Sequence, residues 1–286
     1  MIEKAIGLVR TMRPMTWISV MLTIFTGMTV ALKTFPPFID ILVISIFLPI
    51  CMVGYANSLN AYTDHELDGI TRPYRAIPRG IIERRTVLYF SLLLLLGSLI
   101  ITFGFLSIIP SFFVIIGLVL STAYSAQPTH IKSRGPIAPL AIAAGYVFVP
   151  FMGASFMYGI HRPDIIIIAL VLTLQTIGAS VSKDFIDLEG DKALNMQTLP
   201  LTRGIKPSQK IVYCGLMVPL IVFPLLSCMG YLSNGFYIYL IMVGWVWYIH
   251  RLYRDPLSYE KAYIHSFFFC TVSILLTGII YSGVIL

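Results

Sequence analysis

Residues 57–80 read NSLNAYTDHELDGITRPYRAIPRG, a polar stretch set between two strongly apolar ones. Within it Asn60, Asp64 and Asp68 recur at i, i+4 and i+8, a spacing that aligns them on one face of a helix. Like charges at that spacing repel each other, and an acid at membrane depth costs on the order of 2.5–3.5 kcal/mol. A partner must therefore offset them.

Outward from this stretch the chain is 57% hydrophobic and only 12% charged over 286 residues, against roughly 25% charged in an ordinary soluble domain. Nine stretches reach the ~20 apolar residues that a membrane helix needs: 14–32, 38–60, 86–106, 108–125, 136–156, 163–182, 210–228, 231–249 and 263–283. Runs such as LLLLL at 92–96 and IIIIAL at 165–170 do not alternate with polar residues, which excludes a β-barrel. The sequence predicts an all-α membrane protein, nine transmembrane helices around a central cavity. No Ser/Gly linker or low-complexity block divides it, so residues 1–286 read as a single domain. The segment MIEKAIGLVRTMRPMTW has no short apolar core ending in a small-residue cleavage site, so the first helix is expected to be retained.

Basic residues set the orientation. With a cytoplasmic N-terminus, 18 of the 20 Lys and Arg fall on the cytoplasmic side and only Lys33 and Arg162 fall opposite. The C-terminus then lies on the far side. The net charge of +7 describes one membrane face, suited to anionic lipids or an anionic substrate rather than nucleic acid. Cys51, Cys214, Cys228 and Cys270 lack metal-ligand spacing and read as packing residues.

A second acidic cluster, Asp184, Asp187 and Asp191, runs i, i+3, i+7 at the cytoplasmic end of the sixth stretch. Both clusters continue to a Pro and an Arg-Gly pair, PRG at 78–80 and LPLTRG at 199–204, a weak internal echo. Five of the 13 acids stand in these two clusters, so general acidity does not explain them. Divalent cations would offset the charge: Mg²⁺ takes one or two carboxylates and completes its shell with water and substrate phosphate oxygens. Two facing clusters would hold two Mg²⁺ ions with a diphosphate between them. Arg72, Arg75, Arg79, Lys132, Arg134, Lys183, Lys192 and Arg203 share the same loops and offer donors to the remaining phosphate oxygens.

These motifs resemble the UbiA superfamily of intramembrane prenyltransferases. The family's N-x-x-x-D-x-x-x-D motif corresponds to Asn60, Asp64 and Asp68, and its D-x-x-x-D motif to Asp187 and Asp191, with Asp184 as an additional acid. RPYRAIPRG at 72–80 and YSAQPTHIKSRG at 124–135 match further signatures, and RPMTW at 13–17 with DLEGDKALNMQTLP at 187–200 looks most like the chlorophyll and bacteriochlorophyll synthase branch. The chain departs at Ala61, where relatives carry Asp, and at Asn195, where they carry Gly; the acceptor is expected to be decided at Ala61.

The resemblance implies an integral multi-pass enzyme with its active site on the cytoplasmic side, moving a prenyl group from an allylic prenyl diphosphate to an aromatic, chlorophyllide-like or lipid-alcohol acceptor. Asp64, Asp68, Asp187 and Asp191 would be catalytic, with Asn60 and Asp184 joining them as metal ligands. Asn60, Arg72, Arg75, Lys132, Arg134, Lys183, Tyr124 and Tyr62 would bind substrate, and Tyr55, Tyr146 and Phe148 also border the expected cavity, where aromatic faces stabilise cations. A terpene cyclase on the same scaffold would ionise the same diphosphate without an acceptor. The DHELDG string has the wrong spacing for a CDP-alcohol phosphotransferase, and a transporter would carry its acids near the midplane.

Overall fold

The computed structural model describes residues 2–193 and 196–284, which form helices and no strands. In chain order these are α1 (Ile2–Thr11), α2 (Met15–Leu32), α3 (Phe38–Thr63), α4 (His65–Thr71), α5 (Arg84–Phe105), α6 (Ile108–Ser125), α7 (Ile137–Tyr158), α8 (Pro163–Lys183), α9 (Leu188–Ala193), α10 (Leu199–Arg203), α11 (Ile205–Cys228), α12 (Val243–Leu252) and α13 (Tyr259–Tyr281). Among the described residues eight helices are long and apolar enough to cross a membrane: α2, α3, α5, α6, α7, α8, α11 and the Pro256–Tyr281 segment that contains α13.

The ninth expected stretch, 231–249, takes another form. Asn234–Met242 winds as a 3₁₀ helix before α12 begins. Residues three apart eclipse in a 3₁₀ helix, and that places the rings of Phe236 and Tyr239 together against Phe223, with centroids 4.8 and 4.9 Å away. The Tyr239 hydroxyl donates to the Ser273 carbonyl at 2.6 Å, which ties the segment to α13. Ring packing and this bond favour the tighter winding over α-helical hydrogen bonds.

Two long helices are irregular in the same way. α3 passes through a π segment at Ile41–Phe47 and α7 through one at Ala144–Phe148; each is followed by a proline, Pro49 and Pro150. Proline lacks the N–H that an α-helix needs and crowds the carbonyl one turn earlier, so the preceding turn widens. Both irregular turns carry residues of the central cavity, Ile44 on α3 and Gly145 and Tyr146 on α7.

Packing brings the second acidic cluster into place. α8 crosses α11 at Gly178 and Gly215, where a Cβ on Gly178 would lie 2.9 Å from the Gly215 Cα. Only small residues allow such backbone approach. At the opposite end of α8 the Arg162 guanidinium donates to the Val30 and Ala31 carbonyls at 2.6 and 2.8 Å. Arg162 thus closes the C-terminus of α2, which explains one of the two basic residues that break the charge asymmetry.

Candidate active site

The first acidic cluster forms where α3 gives way to α4. Asp64 follows Thr63 at the break, yet its N–H bonds Asn60 O at 2.9 Å and its own carbonyl receives the Asp68 N–H at 2.7 Å. The i, i+4, i+8 register survives the interruption. The second cluster departs from the single helical face expected of it: α8 ends at Lys183, a turn intervenes after Asp184, and only Asp187 and Asp191 flank and enter α9. Asn195 lies outside the described residues.

Three carboxylates are already matched with cations. Lys132 Nζ bonds Asp64, with both side chains nearly sealed from solvent. Arg75 Nη1 donates to both Asp68 oxygens at 2.6 and 2.7 Å, and Arg72 Nη2 donates to both Asp187 oxygens at the same distances. The Arg72 pair spans 115 residues and joins the two clusters directly. Burial works against the Arg72 charge, but the Asp187 carboxylate outweighs it and the guanidinium is held above its ordinary range. Burial lowers the Lys132 ammonium, with Asp64 opposing that effect.

Asp184 and Asp191 make no ion pair among the described residues. Burial pushes the Asp184 carboxyl up to about 6. Asp191 is raised by burial first and by the Asp187 charge second. Both would ionise more readily beside an added cation.

Above these groups a single cavity of about 510 Å³ extends into the helical bundle. Its mouth is lined by Asn60, Asp64, Arg72, Arg75, Lys132, Lys183, Asp184, Asp187 and Asp191. Its depth is lined by apolar residues of α2, α3, α6 and α7, among them Ile24, Ile44, Leu48, Val114 and Met157.

Not every expected residue lines it. Asp68 is 2% exposed and sits behind Arg75. Arg134 turns away and donates to the Pro128 carbonyl at 3.1 Å. Tyr124 and Tyr146 reach the cavity; Tyr55, Tyr62 and Phe148 are not among its lining residues. The Tyr55 hydroxyl pairs with Thr122 at 2.7 Å, and the Tyr62 ring carries the Arg84 guanidinium 4.3 Å above its centroid. Ala61 is buried against Ile82 and Val87, away from the cavity, so its side chain cannot contact an acceptor held there.

The structure adds Arg13, Phe113, Tyr263 and Phe267. Arg13 adopts a left-handed backbone, φ 49°, in the link between α1 and α2, and its Nη2 donates to Asn60 Oδ1 at 3.0 Å. Burial and then the neighbouring Arg75 lower its pKa. RPMTW was the one sequence signal that pointed at it.

Among the described residues no three Asp, Glu, His or Cys side chains converge closely enough to hold a metal ion, because Asp64, Asp68 and Asp187 face Lys and Arg partners instead. The donor chemistry nonetheless fits Mg²⁺. The candidates are all oxygen ligands, and two of them, Asp184 and Asp191, are half-buried acids without an ion pair among the described residues.

Comparison with known proteins places this geometry in a family. The model of the UbiA prenyltransferase family matches residues 20–272. The chloroplastic chlorophyll synthase of Arabidopsis thaliana is 31% identical over 227 residues, covering 74% of this chain and 57% of that protein. The chain thus spans less than two thirds of the length of that synthase. Digeranylgeranylglyceryl phosphate synthase of Thermococcus sibiricus is 29% identical over 250 residues, covering 87% of this chain and 86% of its own. The structure of a UbiA homolog from Archaeoglobus fulgidus bound to DMAPP and Mg²⁺ superposes with a TM-score of 0.72 at 14% identity, covering 94% of this chain and 99% of that one.

Proposed function

The chain belongs to the UbiA prenyltransferase family, and from that premise we propose that it transfers a prenyl group from an allylic prenyl diphosphate to an acceptor within the membrane. One observation carries the reading: a single cavity joins a mouth of acids and cations to an apolar depth. A prenyl diphosphate has the same two halves.

Asp64, Asp187, Asp191 and Asp184, with Asn60 beside them, would hold two Mg²⁺ ions, which when bound supply positive charge to the departing diphosphate. Arg72, Arg75, Lys132 and Lys183 donate to its oxygens as the bond between C1 and oxygen breaks and the electron pair leaves with the diphosphate. The allylic cation that remains is kept from water by the apolar walls and faces the rings of Tyr124 and Tyr146. A nucleophilic atom of the acceptor then bonds C1 and loses its proton.

The depth of the cavity supports a long donor. Asn60 and Ile44 both line it and stand sixteen residues apart on α3, about 24 Å at 1.5 Å per residue. Each isoprene unit adds four carbon–carbon bonds and advances roughly 5 Å when extended. Four units, a C20 tail, take up roughly 20 Å of that depth and leave the remainder, at Asn60, to the diphosphate.

We read the protein as crossing the bilayer nine times. The 3₁₀ segment Asn234–Met242 and α12 together extend about 33 Å at their respective rises of ~2.0 and ~1.5 Å, enough for a hydrocarbon core of ~30 Å. The basic asymmetry supports a cytoplasmic N-terminus and a cytoplasmic cavity mouth.

The test is diphosphate release by purified protein given Mg²⁺ and C5, C10, C15 or C20 prenyl diphosphates, with and without chlorophyllide, homogentisate, hydroxybenzoate or glyceryl ethers. Acceptor-dependent release that Asp64→Ala and Asp187→Ala abolish is the expected result. Absence of release under every condition refutes the reading, and cyclic hydrocarbon formed without acceptor replaces transfer with cyclisation.

A further inference from the structure

Helix α1 is amphipathic in the inverse sense. On a soluble protein the apolar stripe of a surface helix turns to the core and the polar face to water. Here Ile2, Ile6 and Val9, at i, i+4 and i+7, point outward and are 78%, 48% and 48% exposed. The face that meets the protein is formed by Gly7 and Thr11, both buried. Arg10 is exposed at the edge of the apolar stripe, whereas Lys4, also exposed, stands on the side of Gly7 and Thr11.

The inner face is fastened at defined points. Gly7 rests on the loop that follows α4: a Cβ there would stand 2.6 Å from Ile82 Cδ1 and 3.5 Å from the Ala76 Cβ. A larger residue there would have to push the Ile82 side chain aside. The Thr11 hydroxyl shares a hydrogen bond with Ser58 at 3.1 Å, and Leu8 packs on the cluster of Ala61, Ile82 and Val87. The loop under Gly7 therefore descends from Arg72 and Arg75, which grip Asp187 and Asp68.

What covers the outer stripe follows from its continuation. The chain runs from α1 through Arg13 into α2, whose first turn exposes Met15 at 62% and Ile18 at 44%. Met15 opens a helix long and apolar enough to span a membrane, so the exposed apolar surface of α1 continues that of α2. A basic residue at the margin of such a stripe, here Arg10, suits anionic headgroups.

We propose that α1 lies in the bilayer interface, with Ile2, Ile6 and Val9 among the acyl chains and Arg10 at a lipid phosphate, and that through Gly7 it braces the Arg72–Ile82 loop. The partner is an anionic lipid surface. A lipid-seated α1 holds two diphosphate-binding arginines in register with the second acidic cluster. Only that last consequence rests on the proposed function.

The experiment places the protein in nanodiscs of phosphatidylcholine with phosphatidylglycerol and reads the added fluorescence of Ile6→Trp over the unsubstituted protein. Expected are a blue-shifted emission, strong quenching by acyl-brominated lipid and little by aqueous acrylamide, whereas Glu3→Trp, off the stripe, is quenched by acrylamide. Ile6→Trp as open to acrylamide as Glu3→Trp overturns the proposal. Ile6→Trp shielded from both quenchers also overturns it, since another protein surface would then cover the stripe. Added to Ile6→Trp, Arg10→Gln is expected to weaken the bromolipid quenching in anionic discs and leave it unchanged in phosphatidylcholine alone; no loss in anionic discs refutes the anionic preference. None of these readouts depends on turnover, so failure of the transferase reading and failure of this one are distinguishable.

Discussion

Lys132→Met isolates the chemistry of the first acidic cluster. Lys132 and Asp64 are 8% and 13% exposed at their side chains and bonded to each other. Removing the ammonium leaves Asp64, among the described residues, with hydrogen bonds from Asn60 Nδ2 at 2.9 Å and Thr63 Oγ1 at 3.4 Å. Breaking one side of a buried pair costs about 3–5 kcal/mol because the other charge is left uncompensated. The surviving Asn60 bond places this case near the lower figure. At about 3 kcal/mol the melting temperature of metal-free protein should fall by roughly 6–12 °C. The same change removes the competitor that occupies Asp64, so Mg²⁺ given without diphosphate should raise the melting temperature of Lys132→Met more than that of the unsubstituted protein. Binding of a prenyl diphosphate should weaken at the same time, because one phosphate donor is gone. Stronger metal binding with weaker diphosphate binding is a pair of opposite signs that general misfolding does not produce. Thermal shift in detergent, with EDTA or graded Mg²⁺, measures the first and calorimetry the second. Equal melting temperatures and equal Mg²⁺ responses would refute the view that Lys132 stands in for a cation at Asp64.

The Asp184 carboxyl is raised from its ordinary value to about 6 by burial; its neutral form therefore stabilises the folded state below about pH 4, and that contribution, about 3 kcal/mol, is lost as pH rises through about 6. Metal-free protein should melt lower at pH 7 than at pH 5, and Asp184→Asn should flatten that profile in EDTA. Gly117 lines the cavity and its added Cβ would lie 3.1 Å from the flexible Met52 Cε; standing seven residues deeper than Tyr124, about 10 Å, Gly117→Leu should shift donor preference in a diphosphate-release assay from C20 to C10. Arg72→Gln removes a bidentate bond whose partners are 29% and 28% exposed, so stability should drop by only about 1 kcal/mol while KM for the prenyl diphosphate rises at least tenfold.

Much of the site was written in residue spacing. Asn60, Asp64, Asp187 and Asp191 were legible because acids are scarce in this chain and cost so much at a membrane boundary that each cluster demands a reason. What spacing could not give was rotation. Asp68 shares the register of Asp64, yet Arg75 folds back to cover it, and a covering guanidinium leaves no mark on periodicity. Tyr62 and Tyr124 both stand near a motif, but only the packing of α5 on α3 decides that Tyr62 meets Arg84 while Tyr124 meets the cavity. Ala61 looked decisive because it departs from a motif, and its position among Ile82 and Val87 shows that departure absorbed by packing. Arg13 was hidden for the opposite reason: among 20 basic residues, a single arginine reads as a topology signal until the turn at φ 49° carries it to Asn60. The 3₁₀ winding of Asn234–Met242 is set by partners on α11 and α13 far away in sequence, which hydropathy does not register.

The ion pairs also constrain how ligands reach the site. Asp64 cannot turn to a metal without stranding Lys132, nor Asp187 without stranding Arg72, and each stranded group is partly buried and charged. A prenyl diphosphate arriving alone faces the converse problem: its anionic oxygens need those same cations, and taking them leaves carboxylates uncompensated beside a new negative charge. Either ligand alone, where it takes a member of these pairs, leaves the other member without a partner. Together they exchange partners, carboxylate to metal and guanidinium or ammonium to phosphate, and every charge remains matched. Because binding free energies are linked, each ligand must then raise the affinity for the other by the same factor, and the energy available for that coupling is the cost of the stranded charge, about 3 kcal/mol or somewhat over a hundredfold. A resting site braced by its own salt bridges, whose exchange costs least when metal and diphosphate bind together, would favour ionisation at moments when a donor tail already fills the apolar depth and water is displaced from it.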